Sequence, residues 1–60
     1  MTNNSQTKID LENAAKIAKF ALAAIEYALG QIAEGKAPTM AIDVLKLQAS
    51  DLNILAEKIK

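Results

Sequence analysis

The chain has 60 residues, enough for one small domain, and contains neither Cys nor His to support it through a disulfide or a zinc ion. Seven Lys balance seven acidic residues and Arg is absent, so the composition disfavours nucleic-acid partners and a charged membrane surface. With 52% hydrophobic residues and no such supports, oligomerisation is the remaining common route to a stable fold.

The N-terminal sequence MTNNSQTKID is polar and lacks a basic region followed by an apolar core. It therefore does not predict a signal peptide, and the cytoplasm is the default location. Residues 1–6 are expected to form a flexible leader, followed by one domain over residues 7–60. Helix 1 is expected over about residues 8–34, with either Thr7 or Asp10 as its N-cap.

The middle of helix 1, from Ile17 to Ala33, is apolar around most of its circumference. Only Lys19, Glu26 and Gln31 carry strongly polar side chains there. These charges and the short length argue against a transmembrane segment. A helix that is apolar on nearly all sides must be buried on nearly all sides, which one partner helix cannot achieve.

Helical periodicity divides helix 1 into one polar sector and three apolar stripes. The polar sector contains Lys8, Glu12, Lys16, Lys19, Ala23, Glu26, Gly30 and Glu34. The bulky stripe contains Leu11, Ala18, Leu22, Ile25, Leu29 and Ile32. The alanine stripe contains Ala14, Ala21 and Ala28 with Ala24 beside them, and the aromatic stripe contains Ile17, Phe20, Ala24 and Tyr27. One stripe is expected to pack on helix 2, and the others on another copy or a partner.

Gly35 suits the residue after a helix end and Pro38 suits a restart, so residues 35–38 are predicted to form a tight turn. Helix 2 is expected over about residues 39–59, antiparallel to helix 1 because the connection is short. Its main seam is predicted to contain Ile42, Leu45, Ala49, Leu52, Ala56 and Ile59. Met40, Leu47 and Ile54 recur every seven residues on the otherwise polar face. They are either scattered surface residues or a second contact seam.

The predicted fold is all-α: an antiparallel two-helix hairpin that assembles into a four-helix bundle or a larger helical oligomer. The residues predicted to form an oligomer or partner interface are Ala14, Ile17, Phe20, Ala21, Ala24, Tyr27, Ala28, Met40, Leu47 and Ile54.

Without His, Cys and Arg the chain lacks the usual general base, thiol nucleophile and bidentate phosphate clamp. Asp43, Asp51 and Glu57 carry oxygen ligands, but their helical spacing matches no calcium-binding loop. The sequence therefore predicts a protein that is not an enzyme, with no catalytic residues, no cofactor-binding residues, no metal ligands and no cofactor.

Residues 34–52, EGKAPTMAIDVLKLQASDL, resemble a helix-turn-helix segment of the C-terminal helical domain of acyl-CoA dehydrogenases. The matching features are Gly35-Lys36, Thr39, Lys46-Leu47 and Ala49-Ser50 followed by Asp51. The resemblance implies packing of an antiparallel helical bundle against neighbouring subunits. The family's flavin-binding loops, sheet domain and catalytic glutamate region have no counterpart here, so it implies no activity.

In length and topology the chain is also similar to Rop-like two-helix hairpins, which dimerise and bind RNA, and to the short hairpin chaperones of type III secretion. Lys8, Lys16 and Lys19 would face a phosphate backbone, but Glu12, Glu26 and Glu34 share their sector and favour a solvated mixed-charge face. The expected function is therefore a non-enzymatic, self-assembling module for protein–protein interaction, acting as an adaptor or regulator. The alternatives are a small chaperone covering an amphipathic client helix and a weak Rop-like RNA-binding dimer. The expected partners are the chain itself and, as an open alternative, one other protein.

Overall fold

The computed structural model describes residues 4–59, which form two helices, α1 (Asn4–Ala33) and α2 (Thr39–Lys58). The described range contains no strand, and the two helices pack against each other. The prediction of an all-α, two-helix chain is confirmed at this level. Part of the predicted flexible leader, residues 1–3, lies outside the described residues.

Helix α1 begins at Asn4, earlier than either predicted N-cap. Thr7 and Asp10 lie inside the helix, which corrects their expected role as caps. Within the first turns the Gln6 Nε2 donates a hydrogen bond to the Asp10 Oδ1 at 3.1 Å. Residues four apart are neighbours on a helix surface, so this pair joins two successive turns of α1 at the position where a cap was expected.

The turn ends α1 through paired backbone hydrogen bonds. Gly35 has a φ of 77°, the left-handed conformation that glycine adopts without steric cost. The Gly35 N–H donates to the Ile32 carbonyl at 3.0 Å, and the Lys36 N–H donates to the Gln31 carbonyl at 2.8 Å. These two bonds form a Schellman motif with Gly35 at the position after the helix end, as the sequence predicts.

Helix α2 begins directly after Pro38, whose carbonyl accepts the Ile42 N–H at 3.0 Å. Proline at this point loses no hydrogen bond, because the first N–H groups of a helix have no partner within it. At the other end Lys58 occupies the last helical turn, where the helix dipole favours a positive charge.

The contact between the helices, here the hairpin seam, is made by the residues that are buried or half-buried on each helix. They recur at alternating spacings of three and four, the pattern of two helices packed along one line. In α1 these residues are Thr7, Asp10, Ala14, Ile17, Ala21, Ala24, Ala28 and Gln31. In α2 and its N-cap they are Pro38, Ala41, Leu45, Gln48, Leu52 and Leu55, followed by Ile59. Three residues of the predicted helix 2 seam, Ile42, Ala49 and Ala56, are instead exposed.

The hairpin is a narrow rod with very little interior. It measures 53 × 14 × 10 Å, and its radius of gyration is 14.6 Å. A compact 60-residue domain would have a radius of gyration of about 10 Å. Among the described residues, Ala41 is the only buried hydrophobic residue and no side chain is fully buried. The large apolar side chains therefore lie mainly on the surface.

Candidate interaction surfaces

Two exposed surfaces flank the hairpin seam, one on each side of the rod. The first, here the leucine face, follows α1 positions spaced alternately by four and three. Its α1 residues are Leu11, Ala15, Ala18, Leu22, Ile25, Leu29 and Ile32, and its α2 residues are Ile42, Ala49 and Ala56. Every one of these residues is exposed and none is polar. The bulky stripe predicted for helix 1 therefore lies on the leucine face and not in the hairpin seam.

The second surface, here the groove face, lies on the opposite side of the seam and contains Phe20, Tyr27, Met40, Val44, Leu47 and Ile54. Its centre is a groove of about 360 Å³ whose lining includes Phe20, Tyr27, Met40 and Val44. Met40 is 76% exposed and Phe20 is 64% exposed, so both aromatic and thioether groups are available to a ligand.

A second hollow on the groove face, of about 430 Å³, is lined partly by charged and polar residues. Lys16 and Asp51 stand at its walls, together with Asn13 and Ile54. A third hollow next to the turn is lined by Glu26, Glu34 and Lys36 with Tyr27. The groove face is therefore apolar in its middle and mixed in character toward both ends. The α1 row of the leucine face has no such interruption, while on α2 Lys46 and Asn53 stand between its three apolar residues.

The structure divides the ten predicted interface residues into two groups of five. One group lies in the hairpin seam, facing the chain's own second helix: Ala14, Ile17, Ala21, Ala24 and Ala28. The other group is exposed on the groove face: Phe20, Tyr27, Met40, Leu47 and Ile54. The role of either group in contacts with another chain stays a prediction.

In the fold, the stripe of Met40, Leu47 and Ile54 on α2 lies next to apolar residues of α1. Met40 and Ile54 line hollows whose other walls come from α1, with Phe20 and Tyr27 beside Met40. The sequence separates these groups by more than ten residues, and only the antiparallel pairing brings them onto one surface.

The seam also contains polar residues that the sequence interpretation did not place there. Asp10 is 6% exposed, and the Gln31 Oε1 is buried with no hydrogen-bond partner. The sequence does contain a sign of this placement, because Asp10, Ile17, Ala24 and Gln31 recur at intervals of seven, parallel to the alanine stripe. Because Asp10 and Gln31 are polar, a search for apolar stripes does not include them.

The charged residues of the described part lie on the surface, with the exception of Asp10. An ion pair joins Lys36 Nζ and Glu34 Oε1 at 3.4 Å, and both side chains are largely exposed, so it contributes little to stability. Within residues 4–59, no group of three acidic side chains is placed to hold a metal ion. The same residues include no helix with the length and apolarity needed to cross a membrane. What the surfaces offer is apolar contact area.

Comparison of the chain with family models, with curated proteins and with solved structures found no match.

Proposed function

We propose that this protein is a non-enzymatic, self-associating helical hairpin that acts as a protein–protein interaction module. Its simplest assembly is a homodimeric four-helix bundle. The observation that carries the proposal is the exposure of thirteen large hydrophobic side chains on a rod in which Ala41 is the one buried hydrophobic residue of the described part. A cytoplasmic location remains part of the proposal.

The size of the exposed surface supports this function. The chain exposes 4811 Å² of accessible surface. A compact monomer of 6.4 kDa would expose about 3,800 Å². The difference is about 1,000 Å² per chain, and two chains that buried it would bury about 2,000 Å² in total, which lies at the lower edge of the range for obligate homodimers.

The polar sector of α1 supports a defined assembly over general aggregation. Lys8, Glu12, Lys16, Lys19 and Glu26 are all exposed, in agreement with the predicted polar sector. A four-helix bundle keeps such a charged strip on its outside while it covers apolar surface between the two hairpins. The same mixture of signs gives no support to an RNA-binding surface.

The test is the mass of the protein in solution, measured by light scattering after size exclusion over a hundredfold dilution. We expect a mass at least twice 6.4 kDa together with a helical circular dichroism spectrum. Because only the folded chain associates, the melting temperature should rise with protein concentration. A helical species of 6.4 kDa at every concentration, with a constant melting temperature, would contradict the proposal.

A small chaperone is the second candidate, favoured by the groove between Phe20, Tyr27 and Met40. Methionine and aromatic side chains adapt to varied apolar ligands, and amphipathic helices bind in grooves of this kind. Tyr27 is the single tyrosine and the chain has no tryptophan, so its fluorescence reports on the groove. Titration with a synthetic amphipathic helix that lacks tyrosine and tryptophan should change Tyr27 emission at 1:1 stoichiometry if this candidate holds. Unchanged emission at high peptide concentration would contradict it.

A further inference from the structure

We propose that a second copy of this chain occupies the leucine face, with the two α1 helices antiparallel about a two-fold axis that passes near Leu22 and Ala49. This inference rests on the self-association proposed above and specifies the surface and the orientation used. It leaves the groove face uncovered in the dimer.

The first argument is the continuity of the leucine face. Between Leu11 and Ile32, seven apolar residues follow the alternating four-and-three spacing of a helix–helix seam. No polar residue interrupts this row, whereas Lys16 and Asp51 stand in the groove face. A second copy that covered the groove face would have to remove those two charges from water, whereas the α1 row of the leucine face carries no charge.

The second argument is the charge pattern along the outer border of the leucine face. Glu12, Lys19 and Glu26 follow one another at intervals of seven on that border. In a parallel pair of α1 helices each of these residues would face its own copy, so like charges would meet. In an antiparallel pair Lys19 faces Glu26 of the second copy, and the two-fold symmetry forms this pair twice.

The third argument is that the centres of the two rows lie at nearly the same height along the rod. The α1 row from Leu11 to Ile32 is centred between residues 21 and 22. The α2 row of Ile42, Ala49 and Ala56 is centred on Ala49.

The hollows between the helices show which residues lie level with one another. Phe20 and Tyr27 line one hollow with Met40 and Gln48, and Ile17 lines the other with Asp51 and Leu55. The middle of the α1 row is therefore level with a point two to three residues before Ala49, an offset of about 3–4 Å at the rise of a helix. One two-fold axis can therefore relate α1 to α1 and α2 to α2 at once, as a closed dimer requires.

The α2 row also suits close approach across such an axis. Ala49 and Ala56 are small and exposed, so the two α2 helices can pack at the short end of the usual interaxial range. A dimer that buried about 1,000 Å² per chain on the leucine face would reach the size range of stable homodimers.

The test uses single cysteine variants, since the chain has no cysteine of its own. Ala49→Cys places a thiol beside the proposed axis, close to its own copy. Leu47→Cys reports on the groove face, and Ser50→Cys is a matched control one residue away, turned by about 100° to the outside of α2. Each variant is oxidised in dilute solution and the fraction of covalent dimer is measured on a non-reducing gel.

Ala49→Cys should form a covalent dimer at least tenfold faster than either other variant, because a disulfide needs Cα atoms within about 7 Å. Fastest linkage in Leu47→Cys would overturn the inference and place the second copy on the groove face. A dimer by light scattering in which Ala49→Cys does not link would also overturn it while leaving self-association intact. A reduced protein that is monomeric at every concentration would instead defeat the proposed function itself.

A charge-reversal pair tests the orientation without any covalent bond. Lys19→Glu would oppose Glu26 of the second copy at two symmetric places, and we expect the dimer dissociation constant to rise by about tenfold. Lys19→Glu combined with Glu26→Lys should restore the original constant, because the pairs re-form with reversed signs. A double variant as weak as the single one would overturn the antiparallel arrangement.

Discussion

The Lys36 N–H donates to the Gln31 carbonyl at 2.8 Å, while the side-chain Oε1 of the same Gln31 is buried without a partner. One residue therefore closes the turn through its backbone and carries an unsatisfied polar atom into the hairpin seam. The turn fixes where α1 ends and so which row of its side chains meets α2. The stability of the hairpin is therefore expected to depend both on the backbone hydrogen bonds of the turn and on the unpaired Gln31 oxygen in the seam.

The turn geometry predicts that Gly35→Ala destabilises the protein. Gly35 has a φ of 77°, where a Cβ is costly although no atom lies within 4 Å of it. The expected loss is about 1 kcal/mol of unfolding free energy, arising from the backbone conformation alone. Urea unfolding at a fixed protein concentration measures it. An unchanged or raised midpoint would show that the turn does not need the left-handed conformation.

Gly30→Ala is expected to have the opposite effect. Gly30 lies inside α1 with an ordinary helical φ, and a Cβ built there meets nothing within 4 Å. Alanine should therefore raise the unfolding free energy by up to about 1 kcal/mol, as in any exposed helix interior. The same urea titration applies. A loss of stability would mean that the surface around Gly30 contacts another chain closely.

The local signals in the sequence predicted the hairpin well. Gly35 and Pro38 act through their own backbone preferences, so their positions alone locate the turn and the ends of both helices near it. The start of α1 was harder, because Thr7 and Asp10 are good caps in isolation. In the fold both lie in the hairpin seam, and the contact with α2 outweighs their capping preference.

The sequence could not determine which stripe of α1 meets α2. All three apolar stripes have helical spacing, and the bulky stripe has more surface to bury than the alanine stripe. The backbone conformation of the turn at Gly35 and Pro38 determines which side of α1 faces α2. The spacing of residues along the sequence does not show this orientation. Alanines such as Ala21 and Ala24 then allow close approach, so the larger side chains are left on the surface.

The unsatisfied oxygen predicts that Gln31→Met stabilises the hairpin. Methionine has a similar volume and shape but removes a buried carbonyl that lacks a partner. The expected gain is about 1 kcal/mol of unfolding free energy, since an unpaired buried acceptor costs about 1–3 kcal/mol. Thermal unfolding at fixed concentration checks it. A lowered melting temperature would indicate that the Gln31 amide is hydrogen-bonded in the assembled protein.

Ala21→Glu tests the hairpin seam. Ala21 is half-buried at the contact with α2, so a glutamate there places a charge in the seam without a partner. A cost of about 2–4 kcal/mol is expected, a large fraction of the stability of a small domain. Ala23→Glu is the matched control, because Ala23 is exposed two residues away in the polar sector. Circular dichroism should show loss of helix in Ala21→Glu only, and equal stability of the two variants would contradict the seam.

The two outer faces should respond differently to the same substitution. Leu22 is 56% exposed on the leucine face and Leu47 is 66% exposed on the groove face, so the hairpin itself loses little when either becomes glutamate. Leu22→Glu would bury two unpaired charges near the axis of the proposed dimer, and we expect the light-scattering mass to fall to 6.4 kDa at micromolar concentration. Leu47→Glu should remain dimeric and equally helical, because the groove face is open in that dimer. If Leu47→Glu dissociates the protein and Leu22→Glu does not, the groove face is the dimer interface and the leucine face is the free surface.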